Sequence, residues 1–144
     1  MKKKPVEESE EFLNLIREWQ ALEDKTIASA EELLGRTNNP LVKMTMEMIR
    51  HDSEKHKVMQ QMIIDSITKE AIHLSPDELA PLSDMLNKHM EAEARSLSLA
   101  DSALEKSELF VTRYILSYLI ADETKHHNLI NKLNELKRAT IFVT

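Results

Sequence analysis

Apolar residues recur along this chain at helical spacing, and four stretches carry the pattern. Phe12, Ile16, Trp19, Glu23, Thr26, Ala30 and Leu33 step by four and three, which predicts a helix over residues 7–34 with carboxylates in its first turns, where the helix dipole favours them. Gly35 reads as the stop of that helix, and Asn39-Pro40 as the cap and first position of a second one over 40–68. The second stripe is Met46, Ile49, Ser53, His56, Gln60, Ile63 and Ile67. Ser75-Pro76-Asp77-Glu78 has the form of a capping box and opens a third helix over 76–106, in which Pro81 either makes a kink or marks the true start after a helical lead-in. Its stripe is Leu79, Leu82, Leu86, His89, Glu93, Ser96, Ala100 and Ala103. Ser107 then caps a fourth helix over 108–138, with the seam Leu116, Leu119, Glu123, His126, Ile130 and Leu133. The apolar end Thr140–Thr144 reads as a segment that packs across the bundle, meets another subunit or frays.

Every one of these stripes is apolar at its ends and polar at its centre. A charged group on a buried seam costs several kcal/mol unless it is paired or bound to a metal, so the centres are candidate sites. Glu123 and His126 lie three residues apart, which puts a carboxylate and an imidazole on one helix face, one turn apart.

Shifting the chain by 70 residues exposes an internal two-hairpin repeat. Glu23 falls on Glu93, Ala30 on Ala100, Leu34 on Leu104, Asp52 on Asp122, Lys55 on Lys125 and His56 on His126. The departure is Ser53, which stands where the second half has Glu123. Glu23 precedes the first turn by about as many residues as Ser53 follows the second helix start, so an antiparallel hairpin puts them level, with His56 a turn away beside Trp19. By the repeat, Glu93 is level with Glu123 and His89 with His126. His89, Glu93, Glu123 and His126 are then expected to converge from one hairpin, with Glu23 and His56 facing them from the other. Carboxylate plus imidazole suits iron, manganese or zinc. Asp52 and Asp122 sit just off the seam, placed to accept the second imidazole N–H of a histidine on a neighbouring helix.

Composition narrows the setting. The 144 residues, 42% hydrophobic, fit one domain spanning 1–144, and one Gly among them fits an all-α four-helix bundle. With no cysteine, disulfides, thiolate zinc sites and iron–sulfur clusters are excluded from this chain. The basic start Met1–Lys4 runs into acidic Glu7–Glu11, and no apolar run reaches membrane-spanning length, so a cytoplasmic protein with no membrane contact is expected. A formal net charge of -6, with lysines dispersed among carboxylates, disfavours nucleic acid as a partner. His51, His73 and His127 read as solvent-facing, the methionines as core, and Tyr114 and Tyr118 as packing at the bundle end or at a homodimer face. About six residues join the second and third helices and span at most roughly 20–24 Å, which favours up-down-up-down topology over a long crossover.

Taken together, Glu23, Asp52-Ser-Glu-Lys-His56, Glu93 and Asp122-Glu-Thr-Lys-His126 resemble the ferritin-like, rubrerythrin-related di-metal carboxylate bundles, whose pattern is one Glu from each of two helices and Glu-x-x-His from each of the others. The resemblance runs through all four helices and implies that Glu23, His56, Glu93, Glu123 and His126 are metal ligands, with Glu123 bridging, His89 a further ligand if the pair is asymmetric, and Asp52 and Asp122 behind them. It implies one or two ions, iron first, manganese or zinc otherwise, and a small-molecule oxidant or a metal ion as the reacting partner. Ser53 removes one bridging carboxylate, and the cysteine-based rubredoxin module of full rubrerythrins is absent. The expected function is metal binding with oxidoreductase, ferroxidase or peroxide-handling chemistry. The rival is a non-catalytic helical interaction module whose polar centre is paired within itself.

Overall fold

In this computed structural model, which describes residues 5–70 and 76–139, the chain is all-α with no strand among the described residues. Four long helices carry it: α1 (Pro5–Arg36), α2 (Pro40–Thr68), α4 (Ser83–Lys106) and α5 (Phe110–Ala139), with a single turn, α3 (Pro76–Leu79), ahead of α4. The chain divides into two compact units, Met1–Ile72 and His73–Thr144, each an antiparallel hairpin, α1 on α2 and α4 on α5. The Ser75 cap, His73, the basic Met1–Lys4 and the end Thr140–Thr144 lie outside the described residues.

The repeat is visible in the elements themselves. α1 and α4 end 70 residues apart, α2 and α5 begin 70 residues apart, and both loops are three residues long. The two loops are nevertheless closed by different chemistry. In the first, Asn39 Oδ1 accepts from the N–H groups of Leu41 and Val42 at 2.9 and 3.2 Å, with Pro40 at the first helical position. In the second, the Arg113 guanidinium reaches back and donates to the carbonyls of Leu104 and Ser107 at 2.8 and 2.9 Å, capping the end of α4 with a cation where the dipole favours one.

Two local expectations are corrected here, those for Gly35 and Ser107, and at Pro81 the lead-in alternative is the one found. Gly35 does not stop α1: the helix continues through it to Arg36, and no described residue has positive φ, the chain entering α2 through an extended Asn39 instead. Ser107 does not cap α5, which starts at Phe110. The Ser107 hydroxyl is buried without a hydrogen-bond partner among the described residues, and its carbonyl serves Arg113 instead. Pro81 stands in a 3-10 turn, Ala80–Leu82, between α3 and α4, because a proline without an N–H cannot continue the i→i−4 ladder of the lead-in.

The contact seams also differ from the expected stripes in a regular way. On α1 the side chains turned inward are Leu13, Ile16, Gln20, Glu23, Ile27, Ala30 and Leu34, so Ile16, Glu23 and Ala30 are shared with the expected stripe, while Phe12, Trp19 and Leu33 stay substantially exposed. α2 keeps Met46, Ser53 and Gln60 and leaves Ile49, His56 and Ile63 outside; α5 keeps Leu116, Glu123 and Ile130 and leaves Leu119 and Leu133 outside. The physical reason is width. An apolar arc of 100° or more is broader than the line along which two helices touch, so each helix spends one flank on its hairpin mate and keeps the other open. Leu13, Ile16 and Ile64 close the first hairpin far from its loop, Ala30 allows close approach near the loop, and the polar Glu23, Ser53 and Gln60 are buried between them.

Candidate metal centre

Glu93 is the buried residue of α4, 7% exposed, and it is a carboxylate. It faces α5, where Glu123 and His126 project one turn apart, and one ligand atom from each of the three lies within 4.8 Å of the others. His89, one turn before Glu93, brings its Nε2 to 2.9 Å from Glu93 Oε1. The His126 Nδ1 is 3.6 Å from the same oxygen. Glu93 Oε2 is fully enclosed and makes no hydrogen bond of normal geometry. A buried anionic oxygen without a donor is costly, and a cation between these groups would supply what it lacks.

The protonation of the pair points the same way. Facing Glu123 holds the Glu93 carboxyl below the ordinary range, assisted by the His126 and His89 rings and opposed by burial. Glu123 is pushed up, first by Glu93 and then by burial and the nearby Asp122 charge, with His126 opposing. Opposite shifts on two facing carboxyls mark a site where negative charge is crowded, which a metal cation would relieve. The donor set, two carboxylates and an imidazole with no sulfur, fits iron, manganese or zinc.

Asp122 stands behind His126 on the same helix, its Oδ2 3.6 Å from Nε2, and pairs with Lys125 at 2.9 Å. It thus lies beside a ring of its own helix, because residues four apart stack on one helix face. Asp52, its counterpart, is half-buried on α2.

The first hairpin assembles a different centre. Glu23, 8% exposed, has His56 Nδ1 at 3.4 Å from its Oε2. Where Glu123 would complete the set, Ser53 is buried and offers only a hydroxyl. Among the described residues a three-ligand group of this kind forms from Glu93, Glu123 and His126, and Glu23 with His56 remains a pair. Polar bonds across the helices support it: Gln20 Nε2 donates to the Lys57 carbonyl at 3.3 Å, and Lys57 pairs with Asp24.

Sequence reading passed over Gln60. It is 2% exposed, and neither atom of its amide has a partner among the described residues. It borders an open groove of about 250 Å³ with Trp19, His56, Met59 and Ile63. The available signal was its position at the apolar end of the α2 stripe, where the repeat has Ile130. No family model, curated protein or solved structure matches this chain.

Proposed function

We propose that this chain is a metal-binding protein of the ferritin-like kind, holding a first-row transition metal on its second hairpin through Glu93, Glu123 and His126, with His89 beside them. The observation that carries the reading is the meeting of those three donors within 4.8 Å around a buried carboxylate, one oxygen of which has no hydrogen-bond partner of normal geometry among the described residues. The resemblance of Asp122-Glu-Thr-Lys-His126 to di-metal carboxylate motifs supports it, and favours iron and an oxidant such as dioxygen or peroxide. A bound redox metal would supply Lewis acidity and one-electron exchange with the oxidant. The residues do the rest. Glu93 and Glu123 neutralise charge, and Glu123, the less buried and more readily protonated of the two, is placed to take up or release a proton as an ion leaves or arrives. His126 fixes direction, steadied by Asp122, and its exposure leaves an approach from solvent.

In the first hairpin Glu23 Oε2 is likewise without a hydrogen-bond partner among the described residues, but it meets only His56, and two donors favour the other reading, a polar contact that sets helix register without metal. Metal analysis of protein purified without added metal, followed by anaerobic iron titration and then exposure to oxygen, tests the assignment. Stoichiometric binding that is lost in Glu123→Ala is expected. A metal-free protein whose melting temperature ignores iron, manganese and zinc would overturn it.

A further inference from the structure

His89 lies one turn before Glu93 on α4 with its Nε2 2.9 Å from Glu93 Oε1, yet it is outside the set of donors that lie within 4.8 Å of one another. The contact is internal to one helix, between residues four apart. Glu93 is held ionised by its surroundings, and an ionised carboxylate only accepts hydrogen bonds, so the ring nitrogen that meets Oε1 carries a hydrogen. That nitrogen has no lone pair left for an ion. In the neutral ring the lone pair is on Nδ1 instead, the nitrogen that does not meet Glu93. His89 therefore serves the carboxylate rather than a metal.

The bond divides the labour of the two oxygens. Oε1 has a donor in His89, whereas Oε2 is enclosed and has no hydrogen-bond partner of normal geometry among the described residues. At 3.6 Å, His126 Nδ1 is too far from Oε1 to act as its donor, and with His89 in place it is not required to. The His126 ring, whose Nε2 lies toward Asp122, thus keeps Nδ1 open. The repeat supplies a contrast. Trp19 stands 70 residues before His89, so the hairpin that lacks the second carboxylate, at Ser53, also lacks this histidine.

We infer that His89 is a positioning residue: its Nε2–H holds Glu93 by Oε1, in the orientation that leaves Oε2 for a cation and the His126 ring free to bind it. The inference rests on the metal reading above. The test is a zinc titration of the full chain in competition with a chromophoric chelator, together with the absorption spectrum of the cobalt(II)-saturated protein. His89→Ala is expected to weaken zinc binding by about 10–100-fold, as the loss of a group that orients a ligand does. His89→Gln keeps an N–H donor on a side chain long enough to reach Glu93, and should recover most of that loss. Its cobalt spectrum should match that of the unaltered protein, because no ligand has been removed. Unchanged affinity in His89→Ala, or a His89→Gln variant as weak as His89→Ala, overturns the positioning role and leaves the metal reading standing. A cobalt spectrum that changes in His89→Gln makes His89 a ligand and overturns it as well. An unaltered chain that binds no zinc, iron or manganese overturns both.

Discussion

Glu123 and Glu93 face each other across the α4/α5 hairpin, and their carboxyls titrate in opposite directions, Glu93 lowered and Glu123 raised. That opposition gives the metal-free protein a defined pH response. Glu123 binds its proton more tightly folded than unfolded, so its contribution is full at low pH and is lost as pH rises through its raised value. Glu93 does the reverse: its contribution is present above the ordinary carboxylate value and is lost as pH falls through its lowered one. Chelator-treated protein should therefore gain stability from this pair in the window between the two values and lose it on either side. Urea titrations across that window, compared with Glu123→Gln, check it; a variant with an unchanged profile would rule the shared proton out.

Metal affinity should follow the same proton. A cation competes with the proton on Glu123, so binding should weaken as pH falls through the raised value, with protons released on binding in that range. Isothermal titration of zinc in two buffers of different ionisation enthalpy reads that release. Release of none would show that Glu123 is already ionised and is not the group displaced.

Glu93 is kept at a cost to the fold. It is buried with one oxygen unpartnered, while His89 and His126 are exposed enough to be solvated without it. Glu93→Met, similar in volume, should raise the stability of the metal-free protein by about 1 kcal/mol and eliminate metal binding. Chemical denaturation and a zinc titration of the same preparation measure both. Destabilisation by more than about 1 kcal/mol would mean that Glu93 serves the fold rather than a ligand.

Ser53 offers the converse experiment, since it is buried, one turn before His56, at the repeat position of Glu123. Ser53→Glu gives the first hairpin the donor types of the second. Without metal, a second buried carboxylate beside Glu23 should cost about 3 kcal/mol. Zinc should recover part of that loss, because the charge then has a partner. A melting temperature that falls and does not respond to zinc would show that side-chain identity alone does not make this geometry a site.

How far these features could be read from sequence depends on the physics behind each. Helix periodicity and hairpin levels are local, and they suffice to bring Glu93, Glu123 and His126 to one height on one hairpin. The flank each helix turns to its mate is not local. Phe12 and Leu13 are both apolar, and only packing decides that Leu13 goes inward. Arg113 spans six residues to reach the Ser107 carbonyl, a distance no capping pattern encodes, and so Ser107 looked like the cap. Gln60 was lost among the apolar residues of its stripe because a buried amide without a partner is recognised only once its surroundings are known.

Gly35 carries the last prediction. Glycine near a helix end is usually explained by left-handed backbone, yet Gly35 lies inside α1 and its φ is not positive. A Cβ added there meets nothing within 4 Å. Neither conformation nor space requires glycine, so its remaining effect is to enlarge the entropy of the unfolded chain. Gly35→Ala should therefore stabilise the protein by about 0.5–1 kcal/mol, with metal binding unchanged, as measured by urea denaturation and zinc titration. A loss of stability would show that the turn from α1 into Thr37–Asn39 needs a freedom that its helical backbone does not display.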